Sequence, residues 1–170
     1  MPPSAKYLLL DTCIAEYWLD KYLEPVITKQ LTSWSGTTFQ LAISEVTYAE
    51  MVDGAVKQKV ARVKELLGQF TTMPVTQRIF TGCGILGTVY KDNEEAKSGA
   101  SLADKIIAAT AFAYNLPVVT ANVRDFPHPF FTSILSKNLV YSRNGKDNCI
   151  TIDVLKPNIT QLQYRYSKSK

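Results

Sequence analysis

The chain predicts an α/β fold built on a mainly parallel sheet, on three observations. Apolar runs of strand length alternate with amphipathic stretches of helix length. Two of the runs, Tyr7–Leu10 and Pro117–Thr120, lack the polar alternation of a half-exposed strand, as expected when both faces of a sheet are covered. Acidic residues, Asp11 and Asp125, follow these two runs, and parallel sheets gather ligands at the carboxyl ends of strands.

In chain order, Tyr7–Leu10 is the first strand and Thr12–Tyr22 a helix. Ile14, Trp18 and Tyr22 recur every four residues there, and Ala15 and Leu19 widen the stripe. A weaker helix over Glu24–Leu31 and a turn at Ser33-Trp34-Ser35-Gly36 follow. Phe39–Ile43 is the second strand, and Ser44 caps a helix that carries Glu50 and stops near Gly54. Val56, Val60, Val63, Leu67 and Phe70 trace one face of the next helix, flanked by Lys57, Lys59, Arg62 and Lys64. That basic set reads as a solvated face; phosphate contact requires it to border the acidic residues.

Met73–Thr76 is a third strand and Gln77–Tyr90 a helix, weakened by Gly82, Gly84 and Gly87 at about 1 kcal/mol each. These glycines form no GxGxxG after a strand, which excludes a dinucleotide site. Ser101-Leu102-Ala103-Asp104 matches a capping box opening a helix to Tyr114, whose alanines permit close packing on a sheet. Asn115-Leu116-Pro117 ends it. Beyond Asp125 the pattern predicts a short helix around Phe130-Phe131 and Ile134-Leu135. A strand over Ile150–Val154 is expected at a sheet edge. Residues 1–156 are expected to form one domain, and 157–170 a polar, basic, frayed tail.

A chain of 170 residues suffices for one domain with a substantial core. Its net charge of +4, from 19 basic and 15 acidic residues, permits a polyanionic partner without demanding one. Cys13, Cys83 and Cys149 form no CxxC and His128 is the one histidine, which removes most zinc-site options. A reducing cytoplasm is the simplest setting. Met1–Lys6 lacks a signal-peptide pattern, and no stretch approaches the ~20 apolar residues that span a bilayer.

The chemistry resides in Asp11, Glu50, Asp104 and Asp125. Three of them have a plain structural role open to them, and Glu50 is the hardest to dismiss. Asp11 can accept amides at the start of the next helix, Asp125 can be a turn residue, and Asp104 taken alone reads first as half of a capping box. Glu50 lies among Val46, Ala49 and Met51, with Asp53 on its face at i+3. Acids beside a core are costly unless partnered, and a hard divalent cation prefers such oxygen donors. Carboxylate-held ions activate water and neutralise charge in phosphodiester hydrolysis, so no Ser, Cys or His nucleophile is needed. Cys13 then reads as a small packed residue and His128 as a loop histidine between prolines.

Four segments carry a resemblance: Leu10-Asp11-Thr12-Cys13-Ile14, Ile43 through Met51, Ala103 through Ala111, and Thr120 through Phe126. They resemble, in family order over residues 6 to 127, the signature blocks of PIN-domain nucleases, and are most similar to VapC-type toxins of toxin–antitoxin pairs. The resemblance implies a three-layer α/β/α sandwich and a Mg²⁺- or Mn²⁺-dependent endoribonuclease acting on RNA. It also implies a cognate antitoxin and a homodimer. It makes Asp11, Glu50, Asp104 and Asp125 the metal-binding, catalytic acids, with Thr12 and Asn122 as polar supports. Arg124 and Lys105 are the first candidates for phosphate contact, and the aromatic-rich set Tyr17, Trp18, Tyr22 and Trp34 for a self-association surface. Glu45 stands where the family has an apolar or small residue, and the chain runs well past Asp125. Two other readings compete. A haloacid dehalogenase-type phosphatase also begins strand-Asp-Thr, but wants a second Asp where Cys13 stands. A non-catalytic PIN-like RNA-binding or scaffold module is disfavoured by the presence of all four acids.

Overall fold

The computed structural model describes residues 6–35, 39–93 and 99–169. Its strands are β1 (Lys6–Leu10), β2 (Phe39–Ser44), β3 (Thr71–Met73), β4 (Val118–Thr120), β5 (Phe131–Arg143) and β6 (Lys146–Pro157). Its helices are α1 (Thr12–Leu19), α2 (Glu24–Ser35), α3 (Glu45–Asp53), α4 (Val60–Leu67), α5 (Gln77–Lys91), α6 (Leu102–Tyr114) and α7 (Ile159–Lys168). The strands form one mixed sheet in the order β3-β2-β1-β4-β6-β5. β3, β2, β1 and β4 run parallel, and β6 and β5 are antiparallel additions beyond β4.

The buried strands send alternate side chains to opposite faces, as the two-residue period requires. Leu9, Ala42 and Val118 meet one core, completed by α5 and α6 through Leu86, Ile107 and Ala108. Leu8, Leu10, Ile43 and Val119 meet the other, completed by α1, α2 and α4 through Ile14, Ile27 and Leu67. The result is the three-layer α/β/α sandwich. Because β2 and β3 lie on one side of β1 and β4 on the other, chain direction switches between the carboxyl ends of β1 and β4. Such a switch point opens a crevice. Among the described residues no helix is long and apolar enough to cross a membrane.

The helix starts follow their caps. Ser44 accepts the Val46 amide. At α6, Ser101 Oγ accepts the Asp104 amide at 3.1 Å while Asp104 Oδ2 accepts the Ser101 amide at 2.7 Å, the expected capping box. Asn115, at φ 52°, closes α6 in the left-handed conformation that asparagine tolerates.

Several elements differ from expectation. α2 runs through Ser33-Trp34-Ser35 in place of a turn, and Gly36 lies outside the described residues. The helix expected from Val56 begins as a 3-10 turn at Lys57–Lys59, and Val56 is exposed. No helix forms around residues 130–135: Phe130 lies in a turn and 131–135 open β5. The register of β5 against β6 shifts between Ser133 and Leu135, so apolar positions around this irregularity fall at helix-like spacing. The hairpin has its own signal: Asn144-Gly145, at φ 54° and 74°, is the positive-φ pair that closes a two-residue turn. β6 is not an edge strand, since β5 covers its outer side. The tail is not frayed through its length. Asn158 accepts the Gln161 amide at 3.1 Å and Leu162 packs on the core beside α5, which together hold α7.

The aromatic set expected at a surface is largely absorbed within the chain. Tyr17, Trp18 and Trp34 pack on the second core, with Trp18 and Phe70 centroids 5.3 Å apart. Arg143 lies 5.1 Å over the Tyr22 ring and pairs with Asp20, tying the hairpin tip to the α1–α2 turn.

Candidate active site

Asp11 is placed by the centre of the sheet. β1 lies between β2 and β4, the Asp11 amide donates to Val119 O at 3.0 Å, and the side chain is only 3% exposed. Its Oδ1 accepts the Thr12 amide at 2.8 Å; its Oδ2 accepts Thr120 Oγ1 at 2.7 Å and the Cys13 thiol at 3.1 Å. Asp125 comes from the 3-10 turn Val123–Asp125 after β4, where the Asn122 side-chain amide donates to it. Asp104 sits in the first turn of α6, its Oδ2 used by the cap. Glu50 is exposed on α3 and its Oε2 accepts Thr12 Oγ1 at 2.7 Å. Thr12 thus donates to Glu50 and Asn122 to Asp125.

The carboxylates act on one another. Burial pushes the Asp11 carboxyl above its usual 3.8, and the Asp104 charge adds to that against opposing hydrogen bonds from Thr120 and Cys13. Burial, then the charges of Asp104 and Asp11, push Asp125 up to about 6 from 3.8. A fifth acid, missed in the sequence, joins them. Glu16 is raised by partial burial and then by the charges of Glu50 and Asp11. Its signal was its position four residues after Thr12 on α1, hence on the same helix face. Among the described residues none of these acids is ion-paired with Lys or Arg. Nor do three of them already close to metal-coordinating distance.

The remaining candidates separate. Cys13 is pushed upward by burial and by the Asp11 charge, so it stays a protonated thiol and donates to Asp11. Glu45, set aside on sequence, accepts the Val75 amide at 2.7 Å and ties α3 to the chain beyond β3. Asp53 is exposed at the end of α3. Arg124 is exposed in the turn before Asp125, and Lys105 is half-buried on α6. Lys59 and Arg62 line a cleft of about 270 Å³ together with Glu16 and Glu50. Two of the four basic residues therefore share a cleft with Glu50, one of the four expected acids, and with Glu16.

The PIN domain family model matches residues 8–129, spanning β1 through the turn after Asp125. The chain is 34% identical over 87 residues to Ribonuclease VapC10 of Mycobacterium tuberculosis, covering 51% of this chain and 63% of that protein. The match thus spans less than two thirds of that relative's length. A chain of a toxin-antitoxin complex from Klebsiella pneumoniae superposes with a TM-score of 0.57 at 29% identity, covering 70% of this chain and 89% of that one. The fold is also shared with a chain of VapBC2 from Rickettsia felis bound to a DNA fragment from their promoter. There the TM-score is 0.58 at 21% identity, covering 69% and 89%. With the family model matching most of the chain, from the first buried strand to the last of the four acids, this protein belongs to the PIN domain family.

Proposed function

We propose that the chain is a divalent-metal-dependent endoribonuclease, the toxin of a toxin–antitoxin pair. The observation that carries it is the set Asp11, Asp104 and Asp125 at the sheet's switch point. The Asp104 charge raises the proton affinity of Asp11 and of Asp125, the Asp11 charge adds to that of Asp125, and none of the three has a cationic partner among the described residues. Their donor atoms suit a hard cation. All are carboxylate oxygens, and Asp104 Oδ1, Asp125 Oδ1 and Glu50 Oε1 accept no hydrogen bond from a described residue. In this reading Asp11, Asp104 and Asp125 hold Mg²⁺ or Mn²⁺, with Glu50 and Glu16 along the side toward α3. When bound, the ion supplies a water of lowered pKa and neutralises charge gathering on the phosphate.

The chain's own residues do the positioning. Thr120 and Cys13 fix the Asp11 carboxylate, Asn122 fixes Asp125, and Thr12 fixes Glu50. Lys105 and Arg124 contact substrate phosphates, with Lys59 and Arg62 doing so on the Glu50 side. The site is acidic without metal, so these cations offset the repulsion that RNA meets. The similarity to a ribonuclease and to a chain of a toxin-antitoxin complex supports the activity and an antitoxin partner. A homodimer belongs to the same reading, and light scattering at high micromolar concentration tests it. A monodisperse monomer refutes it.

The test of function is cleavage. Purified chain with single-stranded RNA and Mg²⁺ or Mn²⁺ is expected to yield internal cuts, abolished by EDTA and by Asp11→Asn in protein that still melts cooperatively. Cleavage that persists in EDTA refutes metal dependence. Absence of cleavage, with no change in melting on adding Mn²⁺, favours the scaffold reading.

A further inference from the structure

On the α5–α6 side of the acids lies a second pocket, about 290 Å³, lined by Gly87, Tyr90, Lys91, Ala100 and Lys105. Tyr90 is 5% exposed, and among the described residues its buried hydroxyl has no hydrogen-bond partner. A buried hydroxyl left without a partner is disfavoured, and native structures retain few of them without a reason. The ring is held by Phe130, with centroids 5.5 Å apart, and by its place in the core. The charges of Asp125 and Asp104 act on the phenol, which sets it beside the candidate active site.

The pocket's polar side chains are all donors. Tyr90 brings an O–H, and Lys91 and Lys105 each bring an ammonium. Burial pushes the phenol well above its ordinary range, so it keeps its proton and donates. The wall at Gly87 is open, since among the described residues a side chain starting there would meet nothing within 4 Å. Taken singly, Lys91 is an ordinary cation in a helix's last turn and Lys105 an ordinary half-buried lysine near a helix start. The orphaned hydroxyl of Tyr90, which lines the same pocket, is what a solvated helix face leaves unexplained.

We propose that Tyr90, Lys91 and Lys105 form a phosphate subsite that holds an RNA backbone phosphate next to the one being cleaved. A donor-only set fits an anion with several acceptor oxygens, and lysines serve phosphate as point charges. The subsite rests on the ribonuclease reading for the source of the phosphate, whereas its donor chemistry does not.

The test uses inorganic phosphate and a short single-stranded RNA, on wild type, Tyr90→Phe, Lys105→Ala and Gly87→Leu. Metal-free protein is titrated with phosphate by calorimetry, and RNA cleavage is followed with Mg²⁺. Tyr90→Phe is expected to melt at or above the wild-type temperature without phosphate, because it deletes an unpartnered group. It should weaken phosphate binding and raise KM for RNA about fivefold, shifting KM more than kcat. Lys105→Ala should flatten the slope of log affinity for RNA against log salt by about 0.7. Gly87→Leu should block phosphate binding by filling the pocket from a helix position that favours leucine over glycine.

Unchanged phosphate affinity and unchanged KM in Tyr90→Phe overturn the subsite. So does a lower melting temperature for that variant without phosphate, which marks the hydroxyl as structural. Phosphate binding that RNA does not displace overturns the assignment to RNA. If wild type cleaves no RNA, the ribonuclease reading has failed separately. Calorimetry then decides the subsite: phosphate binding lost in Tyr90→Phe and Gly87→Leu supports it, and no binding by wild type overturns it.

Discussion

Replacing Asp125 by Asn is expected to stabilise the metal-free protein near neutral pH and to do nothing near pH 4. In the folded chain burial and the charges of Asp104 and Asp11 lift the Asp125 carboxyl from 3.8 to about 6. The folded state therefore binds this proton more tightly than the unfolded state does. Between those values, raising the pH strips a proton that the folded state holds more firmly, so stability falls as pH rises through the window. The full displacement corresponds to about 3 kcal/mol. Asp125 is only partly buried, and solvent screening reduces the expected effect to about 1 kcal/mol. The substituted amide keeps an oxygen to accept from Asn122 and removes both the buried charge and the repulsion. For a domain of this size about 1 kcal/mol raises Tm by ~2–4 °C. Urea titrations of wild type and Asp125→Asn in EDTA, at about pH 7.5 and about pH 4, measure it. Destabilisation at the higher pH, or an equal effect at both, refutes the account of these charges.

Asp104→Asn keeps an acceptor for the Ser101 amide, so α6 should retain its cap while RNA cleavage is lost; a large loss of stability with activity retained identifies Asp104 as a cap alone. Mn²⁺ at a hundredfold over its Kd should stabilise wild type by about 2.7 kcal/mol and Asp104→Asn by less, read from paired melts. Gly145→Ala should cost about 1 kcal/mol, because φ at 74° strains any side chain at the hairpin turn, and leave Mn²⁺ binding unchanged in calorimetry. RNA binding in Ca²⁺ should weaken with salt, and Arg62→Ala should flatten that slope by about 0.7; a salt-independent affinity contradicts phosphate-driven binding.

In the parallel half β1 and β4 were legible because they are buried and read as unbroken apolar runs, whereas β3, expected at Met73–Thr76, spans Thr71–Met73, where two exposed threonines give no such run. The cap residues Ser44 and Ser101 marked helix starts for a local reason, their side chains satisfying amides two and three residues on. Of the antiparallel half only the Ile150–Val154 part of β6 was legible. The register irregularity at Ser133–Leu135 disguised the two-residue period of β5, which left the Asn144-Gly145 turn without a recognisable pair of strands to join. The tail was misread because α7 depends on Leu162 meeting the core, a tertiary contact absent from its own polar composition. At the site, strand ends predicted where Asp11 and Asp125 stand. The engagement of Asp104 in both a cap and the acids' shared field showed that its two readings were not exclusive. Glu16 and Tyr90 escaped notice because neither breaks its local helical pattern; only packing reveals the charges around one and the orphaned hydroxyl of the other.

The central claim is that Asp11, Asp104 and Asp125 together hold a divalent ion. Anomalous diffraction from crystals soaked in Mn²⁺ tests it most directly. The account predicts a peak at the carboxyl ends of β1 and β4, within coordinating distance of all three aspartates and absent in Asp104→Asn crystals that keep the α6 cap. A Mn²⁺ peak confined to other carboxylates, or a full-occupancy peak in Asp104→Asn at the same place, contradicts it.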